Sequence, residues 1–273
     1  MSPRVLVVAH RACWVEGAPE NSLAAISLCA SLGVDMAEID VARTKDGQLV
    51  LMHDATLDRT TSGSGPVSAH TLTELNGLRL RTGAGGSGAP VTEERIPTLR
   101  EALLLAKDKV LLNLDLKADV YDDSIALVRE LGVEHQVLTK LNVMPGDAQL
   151  ASVATRGDAM FMPIVRQCDA APRPCAARLS AVVESFQRYD PVAFEVVFTD
   201  PAFLTEGVAA VRRSGERMWV NTLTPNLAAN MTDQGALSDP EANWGRAIDL
   251  GANIIQTDEP RRLIDYLQAR GRR

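Results

Sequence analysis

Short apolar runs and amphipathic stretches take turns along the entire chain. The runs at 5–9, 36–41, 49–52, 110–116, 136–141, 160–165, 193–198, 217–220 and 253–256 are dominated by Val, Ile, Leu and Ala and are too short for buried helices. They read as strands covered on both faces. Between them, apolar residues recur at helical spacing over 21–32, 99–107, 124–131, 177–188, 202–214, 244–250 and 261–270. Sustained βα alternation, with no Pro/Gly/Ser linker to divide it, predicts a single domain, 1–273, built as a TIM (β/α)8 barrel. Nine strand candidates compete for eight places, so one is expected to be an extra strand or a hairpin arm. A doubly wound sheet fits less well, because no GxGxxG follows the first strand.

Two segments, 60–97 and 222–243, interrupt the rhythm and are expected to be loop insertions over the C-terminal face of the barrel. The first holds Gly83-Ala84-Gly85-Gly86-Ser87-Gly88. It lacks the Gly-Lys-Ser/Thr ending of a P-loop, so it reads as flexible connection and not as a phosphate cradle.

Composition sharpens this picture in two ways. Aromatics are only 4 % of the 273 residues, so the core must be aliphatic, as suits a parallel sheet under helices. The net charge of −7 argues against nucleic acid or an anionic membrane as a general partner. An anionic substrate would need a local cation to reverse the sign of the field inside the site. Met1-Ser2-Pro3-Arg4 leads into the apolar run at 5–9, which is too short for a signal segment or a membrane span. Cys13, Cys29, Cys168 and Cys175 show no CxxC spacing. Cys168 and Cys175 would bridge in an oxidising compartment, but reduced thiols in a soluble, cytoplasmic protein without stable membrane insertion are the expectation.

The polar residues fall where barrel chemistry is built, at the C-terminal ends of strands. The first strand ends in His10-Arg11, the second carries Glu38-Ile39-Asp40, and the third ends in His53-Asp54. The fourth carries Asn113-Leu114-Asp115-Leu116-Lys117, and the last ends in Thr257-Asp258. Period-two spacing puts Glu38 with Asp40, and Asn113 with Asp115 and Lys117, on one strand face each. Singly, each has a bland explanation as a solvated face, an ordinary ion pair or a structural histidine. Together they would bury charges that need partners or a metal. Glu38, Asp40 and Asp115 offer three hard oxygen ligands for one divalent cation, Mg²⁺ or Ca²⁺, with Mn²⁺ as an alternative. His10 and His53 remain for proton transfer near neutral pH, and Arg11 and Lys117 for holding an anionic oxygen. That set describes in-line displacement at phosphorus on a small-molecule phosphodiester. Trp14, Glu195 and Trp219 are candidates to line the substrate pocket. His70 and His135 read as surface residues, Trp244 as helix packing, and the Asn230-Met231-Thr232 sequon as chance.

Several ordered motifs carry a resemblance. Val8-Ala9-His10-Arg11, Pro19-Glu20-Asn21-Ser22, Glu38-Ile39-Asp40-Val41, Thr44-Lys45-Asp46-Gly47, His53 to Thr61, Ile96-Pro97-Thr98-Leu99 and Thr257-Asp258-Glu259-Pro260 resemble the glycerophosphodiester phosphodiesterase family. The likeness is dense over the first 120 residues and returns at the C-terminus, with only the βα rhythm shared between. It implies a TIM barrel that hydrolyses phosphodiesters with one divalent cation. His10 and His53 would be the acid/base pair, Glu38, Asp40 and Asp115 the metal ligands, and Arg11 and Lys117 the holders of the phosphoryl oxygens. Glu20 and Asn21 sit at the family's Pro-Glu-Asn motif, where they are expected to cap the first helix, Asn21 as N-cap. The chain departs from the family in three places. Ala12 replaces the Gly of His-Arg-Gly and a segment through Trp14 and Glu16 to Ala18 is inserted; Asp115 replaces a Glu; and Trp219-Val220-Asn221 stands shifted from Trp-Thr-Val-Asn. These changes touch the substrate mouth. Two other readings remain open: a sugar- or lipid-phosphodiester specialist, sphingomyelinase D-like and passing through a cyclic phosphate, and a barrel that binds a phosphorylated ligand without turnover. The second would be marked by loss of a catalytic position, and each is filled.

Overall fold

A computed structural model describes residues 4–15, 17–168 and 175–273. Residues 1–3 and Glu16 of the inserted loop lie outside the described residues. In chain order the elements are β1 (Leu6–Ala9), α1 (Leu23–Leu32), β2 (Met36–Arg43), β3 (Leu49–Leu51), α2 (Leu72–Leu75), α3 (Leu99–Ala106), β4 (Leu111–Leu116), α4 (Tyr121–Glu130) and β5 (Val137–Leu141). Then follow α5 (Leu150–Val153), β6 (Met160–Arg166), α6 (Leu179–Phe186), β7 (Ala193–Val197), α7 (Pro201–Ser214), β8 (Arg217–Asn221), α8 (Asp233–Ala236), α9 (Arg246–Asp249), β9 (Ile254–Thr257) and α10 (Pro260–Ala269).

The chain falls into two compact units, 9–139 and 1–8 with 140–273. In the first, the strand order is β5-β4-β2-β3. β2 and β4 run parallel, with Glu38 opposite Asn113 and Asp40 opposite Asp115. β3 instead runs antiparallel to β2, Val41 opposite Leu51, so the surplus strand is a hairpin arm. In the second unit the order is β1-β9-β8-β7-β6. Trp219 of β8 lies beside Glu195 of β7 and Ile254 of β9, and Asn221 lies beside Gln256.

Local chemistry fixes the helix ends. Thr98 and Glu101 form a reciprocal capping box on α3, and Asp200 caps α7 with Pro201 in its first turn. On α1 the N-cap is Ser22, whose hydroxyl accepts from the Ala25 amide, and not Asn21. Asn21 is drawn elsewhere, as described below. Three helices of four residues, α2, α5 and α8, were not foreseen, because one turn leaves no periodicity to read. The expected helix at 244–250 begins as a π turn over Glu241–Gly245 before α9.

Segment 60–97 is more than a flexible connection. Val67, Leu75, Leu80 and Ile96 are buried in one cluster with Ala42, Val50, Met52 and Leu57. Three of its glycines are held by backbone bonds: the amides of Gly83, Gly85 and Gly86 donate to the carbonyls of Ala18, Thr82 and Arg59.

The reduced-thiol expectation is overturned. Cys13 pairs with Cys29 and Cys168 with Cys175, with Cα separations of 5.3 and 4.7 Å. Both separations lie in the range a disulfide spans. A spacing of 16 residues hides the first pair in sequence. A tight turn at Arg11–Ala12 swings Cys13 back onto α1, where Cys29 faces it. Among the described residues, no helix is long and apolar enough to cross a membrane.

Candidate active site

All seven residues expected to carry the chemistry fall in the 9–139 unit. β2 supplies Glu38 and Asp40, both almost wholly buried, and β4 supplies Asp115, half-buried. Because the strands are parallel and in register, Asp40 stands directly beside Asp115. One carboxylate oxygen from each of the three lies within 4.8 Å of the other two, a group that could hold a metal ion. Lys117, two residues on along the same face, places Nζ 3.0 Å from Asp40 Oδ1 and 3.2 Å from Asp115 Oδ2. Burial alone would lower the Lys117 ammonium, but Asp40, Asp115 and Glu38 outweigh it and hold it above the usual lysine range.

The segment after β1 wraps this carboxylate group. Arg11 and Ala12 both take left-handed backbone angles, φ +53° and +63°. The resulting turn aims the Arg11 amide at Glu38 Oε2 (2.8 Å) and the Ala12 amide at the Glu38 carbonyl (2.8 Å). The Arg11 side chain donates to Glu20 and keeps Nε 3.8 Å from Asp40 Oδ2. Asn21, also left-handed at φ +55°, grips Asp40 twice. Its Nδ2 donates to Asp40 Oδ2 (2.7 Å), and its Oδ1 accepts from the Asp40 amide (2.9 Å). Glu20 and Asn21 therefore serve the carboxylate group and its cations, where capping alone had been expected.

His53, half-buried, faces Asp54 with Nδ1 2.7 Å from Oδ1. Arg59 in turn donates to both Asp54 oxygens, at 2.7 and 2.9 Å. Those bonds, working against burial and helped by His53, hold the Asp54 carboxyl well below its usual range. The Arg59 guanidinium is raised in turn, by its bonds to Glu20 first and Asp54 second. His10 follows β1 and is half-buried. Trp14, also half-buried, lies over Gly83, where a Cβ would come 3.9 Å from its ring.

The other two pocket candidates belong to the second unit. Glu195 is buried, with Lys140 Nζ 3.5 Å from Oε2 and Asn221 Nδ2 donating to Oε1 at 2.9 Å. Trp219 is fully buried and donates from Nε1 to Asn221 Oδ1 (2.6 Å). The sequence reading missed Lys140 and the roles of Asp54 and Arg59. A lysine inside an otherwise apolar strand was the available signal for the first. Asp54 and Arg59 sat in plain view in the His53 to Thr61 motif, but nothing there told that they meet.

The sequence matches the Glycerophosphoryl diester phosphodiesterase family over residues 10–262. It is 29 % identical over 277 residues to a glycerophosphodiester phosphodiesterase of Caldanaerobacter subterraneus subsp. tengcongensis, covering 98 % of this chain and all of that protein. A more local match, 44 % over 106 residues, is to glycerophosphodiester phosphodiesterase 1 of Rattus norvegicus, covering 37 % of this chain and 30 % of that one. Among solved structures, a glycerophosphoryl diester phosphodiesterase from Parabacteroides distasonis superposes with a TM-score of 0.77 at 26 % identity, covering 98 % of this chain and 88 % of that chain. A phosphodiesterase from Oleispira antarctica, in complex with the product sn-glycerol-3-phosphate, shares the fold at a TM-score of 0.67 and 22 % identity, covering 98 % and 100 % of the two chains. The chain belongs to the glycerophosphoryl diester phosphodiesterase family, and is a phosphoric diester hydrolase on a TIM (β/α)8 barrel.

Proposed function

We propose that this chain hydrolyses a glycerophosphodiester to an alcohol and sn-glycerol 3-phosphate, with Glu38, Asp40 and Asp115 holding one divalent cation and His10 and His53 moving the protons. The observation that carries this reading is the charge at the carboxylate group. Among the described residues, Glu20, Glu38, Asp40, Asp54 and Asp115 form one cluster with Arg11, Arg59 and Lys117. Carboxylates packed this closely repel one another, and a divalent ion held between Glu38, Asp40 and Asp115 would offset that repulsion. The donors are all carboxylate oxygens, which suits Mg²⁺, Ca²⁺ or Mn²⁺ and not a soft metal.

A cation bound there would neutralise charge as it builds on the non-bridging phosphoryl oxygens. Arg11 and Lys117 add positive charge at the same carboxylates, to hold those oxygens in place. Attack of a water oxygen on phosphorus forms one P–O bond, and the bond to the leaving alcohol breaks opposite it. One histidine takes the water proton and the other gives a proton to the leaving oxygen. Since Asp54 is ionised, the Nδ1 of neutral His53 is the protonated nitrogen, which leaves Nε2 as its working atom. Trp14 is proposed for the alcohol side of the substrate. Two disulfides favour an oxidising compartment for the folded chain over the cytoplasm.

Glycerophosphocholine is incubated with Mg²⁺, Ca²⁺ or Mn²⁺ and the products followed by phosphorus NMR. The expected product is glycerol 3-phosphate, abolished by chelation, with His10→Ala and His53→Ala each slower by roughly 10²–10⁴-fold. Near-normal turnover in both single variants would overturn the assignment, and a cyclic phosphate would move it to the sphingomyelinase D-like route.

A further inference from the structure

We infer that Arg59, seated by the glycine-rich stretch 83–88, is a positioning residue that locks His53 and Arg11 into their working geometry. The guanidinium is fully used. Nε and Nη2 donate to Asp54 (2.7 and 2.9 Å), Nη1 and Nη2 donate to Glu20 (2.9 and 2.8 Å), and Nη1 also donates to the Ala84 carbonyl (2.5 Å). These bonds engage every N–H an arginine has, so none is left for a substrate. What Arg59 does, it does through its partners.

Those partners lead to the reacting groups in two directions. Asp54 carries the hold to His53 Nδ1, fixing ring orientation and tautomer as a carboxylate behind a catalytic histidine does. Glu20, 2 % exposed, carries it to Arg11, whose Nη1 lies 3.1 and 3.2 Å from the same two oxygens that Arg59 binds. One planar fork thus ties together two residues, 53 and 11, that lie far apart in the chain. A lysine has three donors on a single atom and cannot span both carboxylates this way.

The glycine stretch finds its purpose in the same contact. The Gly86 amide donates to the Arg59 carbonyl (2.7 Å), and Ala84 supplies the carbonyl for its side chain. Gly85 sits at φ +73°, and a Cβ there would fall 2.4 Å from the Arg59 carbonyl oxygen. Only glycine lets the backbone approach so closely. Main chain and side chain of Arg59 are held from one loop.

This inference rests on the reading of His53 as a proton-transfer group, and the experiment separates the two. Histidine-¹⁵N-labelled wild type, Arg59→Met, Arg59→Lys and His53→Ala are compared, all checked for a cooperative thermal transition. The side-chain nitrogen shifts of His53 report its tautomer, and kcat is measured on glycerophosphocholine with Mg²⁺. In wild type, neutral His53 is expected to carry its proton on Nδ1 alone. Arg59→Met should show mixed tautomers with kcat lower by about 10–100-fold, the usual scale for losing an orienting partner. Arg59→Lys, which keeps the charge and is the safer variant to fold, should show the same mixture with a smaller loss. Wild-type shifts and wild-type kcat in both Arg59 variants, with His53→Ala inactive, would overturn the inference. An active His53→Ala would instead remove the reading of His53, while the nitrogen shifts would still decide for or against Arg59.

Discussion

Replacing Asn21 by alanine tests whether the Pro-Glu-Asn segment exists to hold Asp40. Asn21 is buried and its amide makes two bonds to one residue, donating to Asp40 Oδ2 at 2.7 Å and accepting from the Asp40 amide at 2.9 Å. Alanine removes a hydrogen bond to a charged group, worth about 1.5–3 kcal/mol, and strands a buried N–H, at about 1–3 kcal/mol. It also puts a residue less tolerant than asparagine at φ +55°. The metal-free protein should therefore lose about 3–5 kcal/mol in urea unfolding. With Asp40 free to turn, affinity for Mn²⁺ or Mg²⁺ in calorimetric titration should fall by about 10–100-fold. Asn21→Asp is the sharper companion, because it keeps the shape and turns a donor facing Asp40 Oδ2 into a like charge. A helix-capping role predicts something quite different: a cost near 1 kcal/mol and unchanged ion binding. Observation of that pair of results would refute the clamp.

Two further outcomes concern stability. Removing the Cys13–Cys29 bridge in a Cys13→Ala/Cys29→Ala variant frees a loop of 16 residues in the unfolded chain. That should cost about 3 kcal/mol, seen as a Tm lower by roughly 5–10 °C, and dithiothreitol, which also opens Cys168–Cys175, should lower the Tm of the wild type at least as far. The other concerns Asp233, buried where Oδ1 accepts from Thr222, Trp244 and Thr257 and Oδ2 from the Asp258 amide. Burial pushes its carboxyl up to about 6, against the hydrogen bonds that would lower it. The folded chain thus holds an extra proton between pH 4 and 6, so stability is greater below that window and declines as pH rises through it. The Thr222 hydroxyl can turn its proton to the Gln256 carbonyl, 3.2 Å away, and accept from the protonated acid. Unfolding free energy of wild type relative to Asp233→Asn should drop by about 3 kcal/mol from pH 4 to pH 7, and a flat difference would contradict this.

What could be read from sequence follows from physical range. Strand positions and the carboxylates they carry were legible because each depends on spacing within a few residues. Glu38 and Asp40 share a face by strand alternation alone, and parallel pairing in register then sets Asp115 beside Asp40. The contacts that hold these groups were not legible, because they join distant residues through side-chain geometry. Asn21 looked like a cap because asparagine suits caps, yet the neighbouring Ser22 takes that place. The glycine stretch looked like slack because its composition says only that φ is unrestricted; that Gly85 must lie against Arg59 is a tertiary fact. The disulfides were misread for a like reason, since a pair 16 apart becomes visible only once the turn between them is known.

That turn also explains why the loop after β1 is stapled. Arg11, Ala12 and Asn21 all occupy left-handed backbone angles, at about 1–2 kcal/mol each for a residue with a Cβ, less for asparagine. The cost falls at the carboxylate group, because the strained turn is what delivers the Arg11 amide to Glu38 and the Asn21 amide group to Asp40. At position 12 this chain carries alanine where glycine would relieve the strain. The compensation lies one residue further on, in Cys13, which is bonded to Cys29 in the middle of α1 and buried with it. A bridge worth about 3 kcal/mol matches the strain of the two consecutive left-handed residues beside it. Loop strain, disulfide and carboxylate positions are thus one device: Glu38 and Asp40 stay in place because the segment around them cannot relax.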